Sequence, residues 1–455
     1  MRTPIADFVK EYAKKQGCRF HMPGHKGQTF LGCEAFDITE IAGADALYEA
    51  NGIIAESEEN ASELFGTAKT VYSTEGSSQC IKAMMHLVVG CSKKNKNVRP
   101  YVIASRNVHK AFLYAATLVD FDVVWLYPDE MHSLCSCVVE GEQLESVLKE
   151  QIKLRQGERP AAVYITSPDY LGGSIDILVY ADICHRYDTV LAVDNAHGAY
   201  LHFLDKPIHP IDLGADICCD SAHKTLPVLT GGAYLQISKK APDYFVENAK
   251  SVMALYGSTS PSYLTLSSLD LCNRYLEEGY FERLEKTISR IDALKEELRE
   301  NGWQIEISDP LKVTISVSGY ASGHEVADFL RNSGVECEYA DEDYVVLMMT
   351  LENTEKDYKV LKESLISFEF SKSSKAIKGH MRPVHCEQKL SIREAFFAMQ
   401  ENVSVENSFG RICGIPSIGC PPAIPIVVPG EEVNKAAVEL LKYYGIKTIT
   451  VVKKS

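Results

Sequence analysis

The chain has 455 residues, of which 45% are hydrophobic, so it exceeds the size that one hydrophobic core normally serves. Its formal net charge of −15 argues against a nucleic-acid-binding protein, because nucleic-acid phosphates require a basic surface. Residues 1–16 are amphipathic and charged, unlike a signal peptide, and no apolar run reaches membrane-spanning length. We therefore expect a cytoplasmic protein of two or three domains, without a membrane or nucleic-acid partner.

The distribution of cysteines also indicates a cytoplasmic protein. The 14 cysteines are dispersed, and neighbours such as Cys218 and Cys219 stand inside strand-like sequence. No Cys-x-x-Cys or other paired metal spacing appears. We expect reduced thiols in a cytosolic protein and no metal site.

The first two thirds of the chain predict an α/β domain. Residues 1–50 indicate an N-terminal helix followed by an extended arm. Alternation of strands and helices from about 55 to 265 predicts a mainly parallel sheet with helices on both faces. The strand-like runs are 101–105, 122–127, 160–167, 189–194, 215–219 and 231–237.

The last third predicts smaller units. One long helix is expected from Ser262 to Asn301, with Gly302 as its stop, and strands are expected at 303–307, 312–317 and 344–349. A polar, lysine-rich segment at 371–375 is typical of a linker. We therefore expect an N-terminal helix and arm (1–50), a large α/β domain (51–265), a small α+β domain (266–370) and a C-terminal unit (371–455).

A Gly-Ser-Ser turn forms a candidate phosphate cup. Gly76, Ser77 and Ser78 run directly into an apolar segment with helical spacing, Cys80–Val89, which is expected to stop at Gly90. Such a turn offers backbone amides, hydroxyls and the positive end of the helix dipole to a phosphate. The alternative is an ordinary serine N-cap.

Polar residues follow three of the predicted strands. His109 comes after strand 101–105. Its imidazole could stack on the pyridine ring of a bound cofactor, or it could equally be a solvent-facing loop residue. Asp194 ends strand 189–194, and Lys224 is expected on a loop between strands, in Ser221-Ala222-His223-Lys224. Alone, the aspartate indicates a cap and the lysine motif a polar loop. Together they supply the anion and the amine that pyridoxal phosphate needs for its ring nitrogen and Schiff base.

With these motifs the chain resembles the ornithine/lysine/arginine decarboxylase family, pyridoxal-phosphate enzymes of the aspartate-aminotransferase-like fold (type I), in its short bacterial form. The resemblance covers almost the whole length, and its motifs occur in the order of the family. They are Phe20–Gly27, Asp37–Glu40, Glu63–Gly66, Gly76–Ser78, Arg106–His109, Asp194–Gly198, Ser221–Lys224, Ser258–Tyr263, Gly410–Ile412, Cys420–Pro425 and Pro429–Glu431.

The resemblance implies a pyridoxal-phosphate-dependent removal of the α-carboxylate of lysine, arginine or ornithine as carbon dioxide, giving a di- or polyamine. Lys224 is expected to hold the cofactor, Asp194 to keep its ring nitrogen protonated, and His109 and Ala196 to pack on opposite faces of the ring. Lys224 or His223 could return the proton, and His197 is placed beside the cofactor without a secure role. The expected phosphate ligands are Ser77, Ser78, Ser221 and His223, with Ser258 and Thr259 reaching the site of the partner subunit in a homodimer.

Two departures from the family pattern concern the substrate and the assembly. The C-terminal signature usually reads Tyr-Pro-Pro-Gly-Ile-Pro, whereas this chain has Cys420 and Ala423, which puts the substrate in doubt. We lean towards lysine or arginine over ornithine, and no residue decides it. The chain also starts near the His-x-Pro-Gly-His region, so decamers built by an N-terminal wing are not expected. Asp37, Glu40 and Glu431 are guesses for the carboxylates that bind the substrate's distal cation.

Two rival functions stay open. The first is another reaction of the same fold, in an aminotransferase or a β-eliminating lyase. Aminotransferases commonly bind the substrate carboxylate with arginine, and no arginine of the small domain is convincingly placed for that. The second is a non-catalytic regulator that has kept the fold, which the retention of Lys224, Asp194 and His109 disfavours.

Overall fold

The computed structural model describes residues 1–15, 17–92, 99–319, 321–370, 383–416 and 422–454. The predicted linker at 371–375 and Cys420 with Pro421 lie outside the described residues.

Helices and strands alternate along most of the chain. The helices are α1 (Pro4–Lys14), α2 (Ile53–Leu64), α3 (Ser77–Ser92), α4 (Lys110–Val119), α5 (Gly141–Leu154), α6 (Ile177–Arg186), α7 (Ala222–Thr225), α8 (Asp243–Ala254), α9 (Tyr263–Glu277), α10 (Tyr280–Glu300), α11 (Gly323–Asn332), α12 (Glu355–Ser367), α13 (Ile392–Phe397) and α14 (Lys435–Tyr443). The strands are β1 (Lys69–Ser73), β2 (Tyr101–Ser105), β3 (Asp122–Leu126), β4 (Ala162–Thr166), β5 (Val190–Asp194), β6 (Ile217–Asp220), β7 (Ala233–Ile237), β8 (Gln304–Ile305), β9 (Lys312–Ser316), β10 (Tyr339–Ala340), β11 (Tyr344–Met348), β12 (Gln400–Ser404) and β13 (Thr448–Val452).

The first compact unit consists of Met1–Val98, Glu158–Tyr164 and Asp176–Leu284. Its strands are ordered β1-β7-β6-β5, followed by the start of β4. β5 and β6 are parallel, with Asp194 opposite Cys219, whereas β7 is antiparallel to both β6 and β1. The strands are almost entirely buried, in keeping with their continuous apolar sequences.

The second compact unit consists of Arg99–Gly157, Ile165–Ile175 and Glu285–Ser455. The end of β4 is followed by β2 and then β3, and β2 and β3 are parallel. A four-stranded sheet has the order β10-β11-β9-β8, and β12 pairs with β13 in a two-stranded sheet. The core beside this ribbon includes Val427, Val433 and Leu441.

Helix α3 differs from its predicted form, because it begins at Ser77 and continues past Gly90 to Ser92. Gly90 is a point of close packing and not a helix stop. A Cβ atom at this position would lie 2.7 Å from the hydroxyl of Tyr244, on α8. Glycine therefore allows the two helices to approach each other, at some cost in helix propensity.

The single long helix predicted from Ser262 to Asn301 is wrong. The structure has two helices there, α9 and α10, separated by Glu278 and Gly279. Gly279 has a φ of +66°, which no residue within a continuous α-helix adopts. Ser262 is the N-cap of α9, where its side chain accepts a hydrogen bond from Thr265 N. Gly302 ends α10 as predicted, with a φ of +91°.

The segment that holds Lys224 also differs from prediction. It forms the short helix α7 directly after β6 instead of a loop. Its backbone is fixed by hydrogen bonds from Lys224 N to Ser221 O and from Leu226 N to Ala222 O. Lys224 therefore lies in the first turn after a buried strand. Among the described helices, none combines the length and the apolar composition needed to cross a lipid bilayer.

Candidate active site

Asp194 ends β5 as a buried carboxylate, with 2% of its surface exposed. Its oxygens accept hydrogen bonds from the Tyr164 hydroxyl at 3.2 Å and from Ala196 N at 3.2 Å. Burial raises the pKa of Asp194, and the positive charge of Lys224 acts in the opposite direction. A buried anion at this position requires a nearby cation.

Lys224 and His197 meet in the first unit. Lys224 Nζ lies 2.9 Å from His197 Nε2, and His197 is only 4% exposed. His223, which precedes the lysine, donates from Nδ1 to the carbonyl of Gly232 at 2.9 Å. Because a carbonyl only accepts, this bond places a proton on Nδ1 of His223.

The predicted phosphate cup lies at the N-terminus of α3. Gly76 has a φ of +70°, and this conformation, which glycine adopts without strain, turns the chain from β1 into the helix. Within the described chain, the amides and hydroxyls of Ser77 and Ser78 make no hydrogen bond. These four donors lie at the positive end of a 16-residue helix, which is the arrangement that binds anions.

One turn joins the cup to the lysine segment. Gly76 N donates to Gly231 O at 2.8 Å, while His223 N and His223 Nδ1 both donate to Gly232 O. A Cβ atom on Gly231 would lie 2.7 Å from Thr74 O, so a larger residue would push the cup away. The turn at 231–232 therefore sets the distance between the two elements.

A buried polar network under this segment is not predicted by the motifs. Asp220, fully buried, accepts hydrogen bonds from Asn195 Nδ2 at 2.6 Å and from Gln236 Nε2 at 3.0 Å. Its oxygens also lie 3.2 Å from Nε2 of the buried His209. Only the position of Asp220, directly before Ser221, could have indicated its importance.

Ser258 and Thr259 are exposed at the surface of the first unit. Both follow Gly257, which packs against Tyr48 and Gln79. Gln79 belongs to the first turn of α3, so the segment begins beside the phosphate cup of its own chain. Their exposure leaves both hydroxyls accessible to another molecule.

His109 lies in the second unit, as the N-cap of α4. Its Nδ1 accepts a hydrogen bond from Ala111 N at 3.2 Å, so the imidazole carries its proton on Nε2. The next residue, Lys110, donates from its backbone nitrogen to Ala423 O at 3.0 Å. The C-terminal signature therefore holds the loop that carries His109.

The three carboxylates guessed for the distal cation lie in different surroundings. Glu431 is 1% exposed and forms an ion pair with Arg106 at 3.3 Å, so its charge is already balanced within the protein. Asp37 pairs with His25 at 3.1 Å, and Glu40 is exposed. The guess for Glu431 is contradicted by its buried ion pair.

The residues of the first unit fit pyridoxal phosphate. Within the described chain, the buried hydroxyl of Ser221 has no hydrogen-bond partner, which is costly unless a ligand supplies one. The donors of Ser77 and Ser78 are available for the phosphate, Asp194 for a ring N–H and Lys224 for a carbonyl carbon. These residues match the phosphate, the ring nitrogen and the aldehyde of that cofactor.

Comparison with known proteins identifies the family. Residues 3–318 match the profile described as "Orn/Lys/Arg decarboxylase, major domain", and residues 370–450 match "Orn/Lys/Arg decarboxylase, C-terminal domain". The chain belongs to the Orn/Lys/Arg decarboxylase family. A similar family member, the arginine decarboxylase of Bacillus anthracis, is 28% identical over 97% of this chain and 92% of its own length.

Solved structures place the chain in its fold class. The Francisella novicida lysine decarboxylase LdcF has a TM-score of 0.82 at 17% identity, covering 99% of this chain and 81% of that one. The serine palmitoyltransferase of Sphingomonas wittichii has a TM-score of 0.56 at 14% identity, covering 80% of this chain and 83% of that one. The predicted α/β, aspartate-aminotransferase-like fold is confirmed. The chain is an amino-acid decarboxylase, and its family and fold imply pyridoxal phosphate.

Proposed function

We propose that this decarboxylase acts on a basic amino acid with pyridoxal phosphate bound to Lys224, and that arginine is its substrate. The family supplies the reaction class, decarboxylation of ornithine, lysine or arginine. The observation that carries the cofactor site is the convergence of the Lys224 amine, the buried Asp194 and the unpartnered Ser221 hydroxyl in one unit.

The phosphate is held by two elements that share a turn. Ser77 and Ser78 donate from one side, and Ser221 and His223 come from the other, with Gly231–Gly232 between them. Amide and hydroxyl donors at a helix N-terminus bind a phosphate dianion without a nearby arginine. The cup therefore fixes one end of the cofactor and sets the position of its ring.

The ring is held by charge and by contact. Asp194 would keep the ring nitrogen of bound pyridoxal phosphate protonated, since a carboxylate without a cation at this buried position is costly. Ala196, two residues after Asp194, would pack on one face of the ring, and the stacking of His109 on the other face stays a prediction from the sequence. Bound in this way, pyridoxal phosphate supplies an electron-withdrawing ring that stabilises the charge left on the α-carbon when carbon dioxide departs.

Protons are moved by groups beside Lys224. The Lys224 amine lies 2.9 Å from His197 Nε2, and it would serve as a base and an acid when the substrate's amine has replaced it on the cofactor. Return of a proton to the α-carbon is assigned to Lys224 or His223. His197 orients the lysine through this contact.

Arginine is proposed because curated relatives that span nearly the whole chain are named arginine decarboxylase. We propose the same domain division as above, at residues 50, 265 and 370. The match of a separate C-terminal profile to residues 370–450 is consistent with the last boundary.

We further propose a cytoplasmic homodimer in which Ser258 and Thr259 bind the phosphate of the partner subunit. Their exposure, directly beside the cup of their own chain, supports this arrangement. Mixing Lys224→Ala protomers with Ser258→Ala, Thr259→Ala protomers should restore one intact site per heterodimer. Absence of complementation, or an active monomer in sedimentation, contradicts shared sites.

Two measurements test the cofactor and the substrate separately. Borohydride reduction followed by peptide mapping should find the pyridoxyl adduct on Lys224, and an adduct on another lysine overturns the assignment. A panel of amino acids, scored for amine and carbon dioxide, should give arginine the highest kcat/KM. Buried groups built for a distal cation reject neutral analogues by roughly 10⁴-fold. Faster turnover of neutral or acidic amino acids refutes the substrate class while leaving the cofactor in place.

A further inference from the structure

A buried glutamine stands at the base of the phosphate cup. Gln79 is the third residue of α3, directly after Ser77 and Ser78, and it is fully buried. Its side chain makes three hydrogen bonds to three separate parts of the first unit. It therefore satisfies its polar atoms within the protein and is not itself a phosphate ligand.

The first bond fixes the turn that forms the cup. Gln79 Oε1 accepts from the Ser73 hydroxyl at 2.6 Å, at the end of β1. That hydroxyl in turn accepts from Glu75 N at 3.1 Å, and Gln79 N donates to Gly76 O at 3.2 Å. The turn between strand and helix is thus closed on itself through Gln79.

The other two bonds fix what surrounds the cup. Gln79 Nε2 donates to the hydroxyl of Tyr48 at 2.8 Å and to the carbonyl of Met253, near the end of α8, at 2.9 Å. Gly257 packs against the side chains of Tyr48 and Gln79, and a Cβ atom there would overlap both Tyr48 Oη and Gln79 Nε2. The chain at 257 cannot shift inward without displacing Gln79.

We propose that Gln79 is a positioning residue that holds the donors of Ser77 and Ser78 in register with the segment that carries Ser258 and Thr259. The proposal rests on the proposed cofactor site. A helix N-terminus binds a phosphate well only when its amides converge, and a shift of about 1 Å is enough to weaken such a site. On one side, Gln79 fixes the directions of the amides in the cup. On the other side, it fixes the start of the segment that carries Ser258 and Thr259.

The consequence is selective for the phosphate. Loss of the Gln79 bonds displaces the cup more than it displaces Lys224 or Asp194, because the cup follows β1, whereas Asp194 ends β5 and Lys224 follows β6. Binding of pyridoxal, which has no phosphate, should then be affected far less than binding of pyridoxal phosphate. A general loss of structure weakens both ligands to the same degree.

The test compares two ligands on two matched variants. Apoprotein is titrated with pyridoxal phosphate and with pyridoxal, and binding is followed by visible absorbance. Gln79→Met removes all three bonds with little change in volume. Gln143→Met is the control: it is also the third residue of a helix, α5, and its amide also donates to a backbone carbonyl, Tyr127 O, at 3.0 Å.

For Gln79→Met we expect the dissociation constant of pyridoxal phosphate to rise by about tenfold or more, because displacement of the Ser77 and Ser78 donors weakens their hydrogen bonds to the charged phosphate. That of pyridoxal should stay within about twofold, and Gln143→Met should change neither. Equal weakening of both ligands in Gln79→Met, or no weakening, overturns the proposal.

Tyr48→Phe provides a second variant should Gln79→Met not fold, since it removes one hydroxyl from the same network. It should weaken pyridoxal phosphate selectively by a smaller factor, and a non-selective effect overturns the proposal. The wild-type protein separates this failure from that of the proposed function. If the wild-type protein binds pyridoxal phosphate on Lys224 and the variants show no selectivity, only the proposed role of Gln79 is refuted. If the wild-type protein forms no adduct on Lys224, the proposed cofactor site and the role of Gln79 are both refuted.

Discussion

Arg106 and Glu431, 325 residues apart, form a buried ion pair in the second unit. The guanidinium also donates to Pro425 O at 3.1 Å and to Ile426 O at 2.9 Å, and it lies 5.1 Å from the centre of the Trp125 ring. Arg106 directly precedes the Asn107-Val108-His109 turn. Arg106 therefore connects the C-terminal signature, at residues 425–431, to the turn that carries His109.

Arg106→Met should lower the free energy of unfolding by about 3–5 kcal/mol, because it leaves Glu431 buried without its cation. Adding Glu431→Gln should recover part of this loss, since the uncompensated charge is then removed. Denaturant titration measures both. The control is Arg331→Met at an exposed pair, which should cost below about 1 kcal/mol. Equal costs at positions 106 and 331 contradict the buried role.

Asp194→Asn should retain pyridoxal phosphate but reduce kcat by at least about a hundredfold, because a neutral amide no longer stabilises a protonated ring nitrogen. Cofactor content is read from absorbance and turnover from carbon dioxide release. Asp216→Asn is a matched control, since Asp216 is also buried but lies just before β6 and pairs with His185. Near-normal turnover of Asp194→Asn refutes the assigned role.

Ala423→Gly should stabilise the protein by roughly 0.5–1 kcal/mol. Ala423 has a φ of +60°, in the left-handed region where a Cβ atom is strained and where the family signature has glycine. Thermal or denaturant unfolding gives the difference. Ala398→Gly, at a φ of −68°, should instead destabilise slightly, because glycine only adds unfolded-state entropy there. A loss of stability at position 423 contradicts the strain argument.

Asp270 should make stability fall with rising pH. Burial raises the pKa of this carboxyl to about 6, so the folded protein keeps a proton that the unfolded chain releases near pH 4. Its contribution to the free energy of unfolding is full below about pH 4 and is lost by about pH 6, with a slope of at most about 1.4 kcal/mol per pH unit. The difference between wild type and Asp270→Asn, measured across this range, should fall as pH rises. A flat or rising difference shows that the pKa is not raised.

The closeness of Asp194 to the Ser221–Lys224 segment could be predicted because each stands at the end of a short, recognisable strand. Asp194 and the Ser221–Lys224 segment follow apolar runs that predict buried strands, and the carboxyl ends of neighbouring parallel strands meet at one edge of a sheet. The structure places Asp194 opposite Cys219, two residues before Ser221. The prediction of two consecutive parallel strands was therefore sufficient to place Asp194 near the Ser221–Lys224 segment.

Side chains that meet across the fold could not be predicted in this way. Gln79 with Tyr48, and Asp220 with His209, have no periodic spacing that relates them. Gly90 has the sequence pattern of a helix stop, but the reason for this glycine is the Tyr244 hydroxyl, more than 150 residues further on in the chain. For the same reason, the sequence does not reveal that Glu431 pairs with Arg106 instead of a substrate.

The burial of the thiols has a practical consequence. Burial raises the pKa of Cys218 and Cys219 well above the usual value, so neither is a thiolate at neutral pH. Among the described cysteines, Cys18 has the exposed side chain, and it stands two residues before Phe20, which is 95% exposed. A fluorescent maleimide should therefore attach first to Cys18. Its emission would then test whether the proposed homodimer covers this part of the arm.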